Sequence, residues 1–198
     1  YKQVNQVPLG DVCQSMVYFN NKFYIVVNNS SKVMVVNAAT FKIETTISGF
    51  NSPRYFIPVS NSKAYVSDLY DNRLAIVNLS TNIISGYIPA VAGTEQMKMV
   101  YGKVFVSSLF TDKIYVINSM TDLLTDSIAL AYSPNSICED KNGMLWIMCS
   151  GDSLKQKPSA LVQLNPIDNQ VIKSLYFNGN HAPWRMCMNK QNDALYFL

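Results

Sequence analysis

One histidine, His181, stands in a chain of 198 residues, and that count limits the available chemistry at once. Catalytic and zinc centres draw on several imidazoles or thiolates, or on one imidazole paired with an activated nucleophile. No GxSxG turn accompanies His181, which lies in the loop-like stretch NGNHAPW. It reads as a polar loop residue or a ligand contact in preference to a catalytic base. The four cysteines, Cys13, Cys138, Cys149 and Cys187, form no CxxC pair and sit at irregular spacing inside apolar, strand-like runs. Buried free thiols are expected there, not a zinc site or a disulfide framework.

Carboxylates are more numerous but less organised. Asp68, Asp71, Glu95, Asp112, Asp140 and Asp152 fall mostly in turn-like sequences, where Asp is expected for its own backbone hydrogen bonding. Neither a GxxxxGK[ST] loop nor a GxGxxG turn is present to cradle phosphate. The net charge of +3, from 16 basic and 13 acidic residues, is spread without a basic run, so nucleic acid is not an expected partner. With 48% hydrophobic and 15% charged residues, the chain can build a sizeable core. No stretch approaches the roughly 20 consecutive apolar residues of a membrane helix. The opening YKQVNQVPLG lacks the apolar core of a signal peptide, which fits either a cytosolic protein or a trimmed leader.

What must position these residues is a repeat. Tyr24, Tyr65, Phe105 and Trp146 occupy one position of successive units, 41, 40 and 41 residues apart, and Asn37, Asn78, Asn118 and Asn165 close the following apolar run in each. Each Asn opens a turn such as NLSTN, where its side chain can bond the backbone. Every unit reads as four short strands punctuated by Asn, Asp, Ser, Gly and Pro, with no amphipathic helix. In residues 51–91 these are RYFIPVS, AYVSDL, RLAIVN and IISGYIPA, called A to D.

Four strands every forty-odd residues predict an all-β protein, a β-propeller of four-stranded antiparallel blades. Such a blade has two apolar faces and must be stacked between neighbours, so the aromatic of each B strand is expected to pack between sheets. The reading gives a single propeller domain over 1–198, with blades at 11–48, 51–90, 93–130 and 133–177 and a partial blade at 182–198. Residues 1–10 resemble a D strand that closes the last blade of a ring. About four and a half blades are then present, and roughly two and a half more would complete a seven-bladed ring; a compact four-bladed ring is the alternative, which leaves the half-blade at the end unexplained.

Strand A lines the channel in a propeller, so the D-to-A and B-to-C loops emerge together at one mouth. The first set supplies Asn51, Arg54, Glu95, Gln96, Asn135, His181, Trp184 and Arg185; the second supplies Tyr70, Phe110 and the long GDSLKQKP insertion. Leu69-Tyr70 and Leu109-Phe110 repeat an aliphatic-aromatic pair where a turn has no need of one. These side chains either face a ligand or fold back over the blade rim, and the insertion is either a site wall or a tolerated surface excursion. Aromatics, amides and two arginines suit a bulky amphipathic ligand or a protein surface better than a small ionic substrate.

The units YVSD…NRLAIVN and VFVSS…DKIYVIN resemble the YVTN repeat of bacterial surface and periplasmic propellers, similar to YncE-like proteins. Tyr65-Val66-Ser67-Asp68 matches that motif well, Phe105-Val106-Ser107-Ser108 less so, and Tyr24-Ile25-Val26-Val27 and Trp146-Ile147-Met148-Cys149 only in apolar pattern. The Asn- and Lys-rich blades are similar to secreted or lipoprotein propellers of gut Bacteroidetes, some of which capture corrinoids. The resemblance implies a periplasmic or cell-surface protein, with or without a lipid anchor.

The expected function is therefore non-catalytic binding at the channel mouth. A small molecule such as a corrinoid, a glycan or an outer-membrane transport protein is the expected partner, and no cofactor or metal is expected. Arg54, Tyr70, Glu95, Gln96, Phe110, Asn135, His181, Trp184 and Arg185 are the expected ligand-binding residues. The alternative is a metal-dependent propeller hydrolase or lactonase using channel-mouth carboxylates, for which only Glu95 stands at an axis-facing entry position.

Overall fold

A computed structural model describes residues 11–89, 93–179 and 181–198. The expected closing strand at 1–10 lies outside the described residues. The chain divides into two compact units, Tyr1–Val91 and Ala92–Leu198. Unit one holds β1 (Cys13–Phe19), β2 (Lys22–Val27), β3 (Lys32–Asn37) and β4 (Ile43–Ser48), followed by β5 (Pro53–Pro58), β6 (Lys63–Asp68), β7 (Arg73–Asn78) and β8 (Ile83–Pro89). Unit two holds β9 (Thr94–Val100), β10 (Lys103–Ser108), β11 (Lys113–Asn118) and β12 (Leu123–Ala129), then β13 (Pro134–Glu139), β14 (Leu145–Cys149), β15 (Ala160–Asn165) and β16 (Gln170–Tyr176), and the short pair β17 (Cys187–Met188) and β18 (Leu195–Tyr196).

Each run of four strands is one antiparallel sheet joined in sequence order. These sheets are the blades of an all-β fold, and the described residues contain no helix, hence none long and apolar enough to cross a membrane.

The B and C strands are buried on both faces, as their continuous Val, Ile and Tyr runs require, whereas the D strands β12 and β16 are mostly exposed. In unit one Tyr24 of β2 stacks on Phe56 of β5, ring centroids 4.4 Å apart and 10° from parallel. That contact joins two blades within one apolar cluster containing Val26, Val35, Val66 and Val77. Tyr65 and Phe105 are fully buried. Trp146 differs: it is half-buried, gives its indole N–H to Asp140 Oδ2 at 2.9 Å, and lies under Lys173. An indole needs a hydrogen-bond partner that a dry interface does not offer.

The turn Asn works alike in all four blades. Its Oδ1 accepts from the backbone N–H two residues on, at Ala39, Ser80, Met120 and Ile167. Four residues past each Asn stands a left-handed residue: Phe41, Asn82, Asp122 and Asn169. Every C–D pair also carries a bulge at one position, between Val35/Val36, Ile76/Val77, Val116/Ile117 and Gln163/Leu164, which increases the local strand twist.

Asp68 closes strand β6, within the AYVSDL run read as strand B, and is buried. One local expectation changes. Cys13 and Cys187 are exposed because they sit at open strand positions; only Cys149 is fully buried, and burial pushes its thiol up to about 12.

Candidate functional site

The entry of strand A is bulged in every complete blade. Gln14 is the extra residue in β1 and Asn135 in β13, while Arg54-Tyr55 oppose Ser67, and Glu95-Gln96 oppose Ser107. A bulge re-aims side chains at the end of a strand, so Arg54, Glu95 and Asn135 share one structural origin. The serine of the repeated motif fills the double bulge. Ser67 Oγ accepts from Tyr55 N at 2.9 Å, and Ser107 Oγ donates to the Gln96 carbonyl at 2.9 Å. Ser67 and Ser107 were the missed residues, and the signal was their recurrence inside YVSD and FVSS.

In unit one, the Asp68 carboxylate accepts from Asn51 N, Ser52 N and Tyr70 N at 2.8–3.1 Å. One buried side chain thus ties the D-to-A loop to the B-to-C loop. Asn28 adds a second tie, donating to Ser52 Oγ at 2.8 Å and to the Pro53 carbonyl at 3.0 Å. Between these loops lies an open cleft of about 400 Å³ lined by Asn28, Asn51, Ser52, Arg54, Leu69 and Tyr70. Arg54 is half-buried, and the Tyr70 ring is 66% exposed.

In unit two, several expected ligand contacts serve the joints between blades. Gln96 Oε1 accepts from Ile137 N at 2.7 Å, and Asn135 donates to Ser150 Oγ at 2.6 Å and to the Pro183 carbonyl at 3.1 Å. Glu95 is buried. Phe110 is half-exposed and lies across Gly93, its Cδ2 2.6 Å from where a Cβ on that glycine would stand. Trp184 is half-buried and pairs its backbone with Leu198; Arg185 is exposed with left-handed backbone.

The insertion builds a different site. Asp152 and Lys157 exchange backbone hydrogen bonds at 2.9 and 2.8 Å, making a small hairpin. Lys155 pairs with Asp152 at 3.0 Å and donates to Tyr132 Oη at 3.0 Å. The hydrogen bond to Tyr132 and then the one to Asp152 hold the Lys155 ammonium above its ordinary range, and Lys155 in turn holds the Asp152 carboxyl below its own. Across from the hairpin stand Phe177, Asn178, Gly179, His181 and Ala182, and between the two lies an open cleft of about 570 Å³ reached by Ser150, Gln156, Lys157, Ser159, Asn178 and His181. Of the expected residues in unit two, His181 alone lines it. Among the described residues no group of three or more His, Cys, Asp and Glu stands close enough to hold a metal.

Solved structures share this fold at low identity. Hydrazine synthase of Kuenenia stuttgartiensis aligns over 100% of this chain and 58% of its own at 14% identity, TM-score 0.81. The structure "Streptogramin B lyase" aligns over 93% and 61% at 14% identity, TM-score 0.75. Dihydro-heme d1 dehydrogenase NirN in complex with DHE aligns over 86% and 39% at 10% identity, TM-score 0.68. The chain thus spans between 39% and 61% of the length of these proteins. No curated protein matches. Residues 1–198 all match one family, described as Domain of unknown function (DUF5074), and this β-propeller chain belongs to it.

Proposed function

We propose that this chain is a non-catalytic, ligand-capturing part of a propeller, working through its D-to-A and B-to-C loops. One observation carries the reading: these two loop types together wall the roughly 570 Å³ cleft of unit two, with hydroxyl, amide, ammonium and imidazole groups around it. That volume lies within the about 300–1,000 Å³ typical of ligand sites. The smaller cleft at Arg54 and Tyr70 repeats the same loop arrangement in unit one and offers an exposed aromatic for stacking.

The YVSD and VFVSS units support a YVTN-type, YncE-like origin, and with it a periplasmic or cell-surface address, a lipid anchor included, of the kind found in gut Bacteroidetes. A corrinoid, a glycan or an outer-membrane transport protein is the ligand or partner this reading names. The test is a thermal-shift screen of the full-length protein against corrinoids and glycans, followed by calorimetry. Saturable stabilisation by one class supports capture; hydrolysis of a lactone that is lost on chelation would overturn it in favour of an enzyme.

A further inference from the structure

In unit two, the A-to-B and C-to-D turns of blade three (β9–β12) and blade four (β13–β16) lie at the end of the sheets opposite the cleft, and they carry an apolar surface. Tyr101, Met120, Leu123 and Ile167 stand there, each between 62% and 88% exposed. The repeat supplies a control. The residue two past the turn Asn donates its backbone N–H, and in the four blades it is Ala39, Ser80, Met120 and Ile167. Since Ala and Ser build the same turn, it needs no large side chain at Met120 or Ile167. Tyr101 is costlier still. With Gly102 it forms a two-residue turn at φ of +49° and +73°, where blade one has Asn20 and Asn21 at +47° and +59°. Both positions favour Asn or Gly, and a bulky residue is strained there.

Hydrogen bonds hold these turns together. The Gly102 carbonyl accepts from Ser119 N at 3.0 Å and Ser119 Oγ at 2.8 Å, which sets the Tyr101 turn beside the Met120 turn. Lys103 Nζ donates to the Pro166 and Ile167 carbonyls at 3.0 and 2.9 Å and to Asn169 Oδ1 at 3.0 Å, and Asn169 donates to Asp126 Oδ2 at 2.7 Å. The Ile167 turn of blade four is thereby tied to blade three. A surface ordered in advance loses less entropy on association.

These four residues expose roughly 600 Å², the top of the range for the largest patch on a monomer and about what each partner contributes to the smallest specific interfaces. The charges beside them have both signs. Asp122 and Asp168 stand in the C-to-D turns and Lys141 in the A-to-B turn of blade four. Lys141 lies 3.9 Å from Asp193, both exposed, a pair worth little in water. The two carboxylates oppose docking on an anionic bilayer, whereas a two-fold axis between the turns of blade four sets Lys141 of one copy against Asp168 of the other.

We infer that this surface is the interface of a symmetric dimer, occupied by a second copy of the chain. Tyr101, Met120, Leu123 and Ile167 of both copies form its apolar centre, and Lys141–Asp168 pairs close the rim. It stands apart from ligand capture, so neither result decides the other.

The experiment is sedimentation velocity on the full-length protein over a concentration series. A monomer–dimer equilibrium is expected. Met120→Ser with Ile167→Ser installs the residue that blade two carries at Ser80; it should raise the dimer Kd at least about tenfold and leave the melting temperature unchanged. Lys141→Asp should weaken the dimer about tenfold, and adding Asp168→Lys should restore it, because a two-fold interface exchanges both partners. A protein that stays monomeric at every concentration overturns the inference, and if it then sediments with neutral or anionic vesicles the surface is a membrane contact. A dimer that survives the serine changes overturns it too. Failure of the second charge change to restore association overturns the symmetric pairing.

Discussion

Asn135 donates through Nδ2 to the Pro183 carbonyl at 3.1 Å, joining the bulge at the head of β13 to the chain that leads into β17. Ser150 converges on the same carbonyl at 3.2 Å, and Asn135 is buried. Asn135→Ala leaves part of this network unsatisfied and is expected to destabilise the protein by about 1–3 kcal/mol. Urea unfolding measures it, and a loss below about 0.5 kcal/mol would mean that the joint does not depend on this amide.

Tyr70 and Phe110 occupy equivalent positions but differ in what they touch. Tyr70→Ala should alter stability by less than about 0.5 kcal/mol, since the ring is largely exposed. With folding intact, a fall in ligand or partner affinity reads the unit-one cleft directly; an unchanged titration removes Tyr70 from the site. Gly93→Ala meets both a left-handed φ of +69° and the Phe110 ring, so it should cost about 1 kcal/mol or more.

Acid should weaken the blade that holds Asp140. Burial raises the Asp140 carboxyl, but hydrogen bonds from Trp146 Nε1, Met144 N, Asn142 N and Gln163 outweigh it and leave the group below its ordinary value of 3.8. A carboxyl depressed by folding contributes stability above its unfolded value and loses it as pH falls through the folded one. The stability gap between the native protein and Asp140→Asn should therefore narrow as pH drops from about 5 to about 3. Parallel curves over that range would contradict this assignment.

Thiol labelling tests the burial pattern. In the folded protein an alkylating reagent should modify Cys13 and Cys187, which are exposed, and spare Cys149, whose thiol burial has pushed up to about 12. Cys138, half-buried and raised to about 11 by burial first and then by the neighbouring Cys187, should react slowly. Peptide mass mapping decides it; rapid modification of Cys149 would be incompatible with β14 as described.

The side chains at the head of strand A separate what is local from what is not. Their positions were legible from the repeat, but Gln96 turns to Ile137 N and Asn135 to the Pro183 carbonyl, which depends on the bulge and on where the next blade lies. Phe41 makes the same point in a turn. It holds the left-handed position that Asn82, Asp122 and Asn169 hold elsewhere, although a bulky residue disfavours that conformation by itself. The blade imposes the turn on it.

By itself the amino-acid sequence determined the repeat length, the four strands of each blade and the Asn that starts each C-to-D turn, because strand period and turn hydrogen bonding act over a few residues. Tertiary structure decided which polar groups are consumed at blade joints and which stay unpaired. Hydrogen bonds between residues 41 and 48 positions apart take up Gln96 and Asn135, while the buried Ser159 Oγ finds no partner among the described residues. Satisfaction of a buried polar group depends on the neighbours that the fold brings to it.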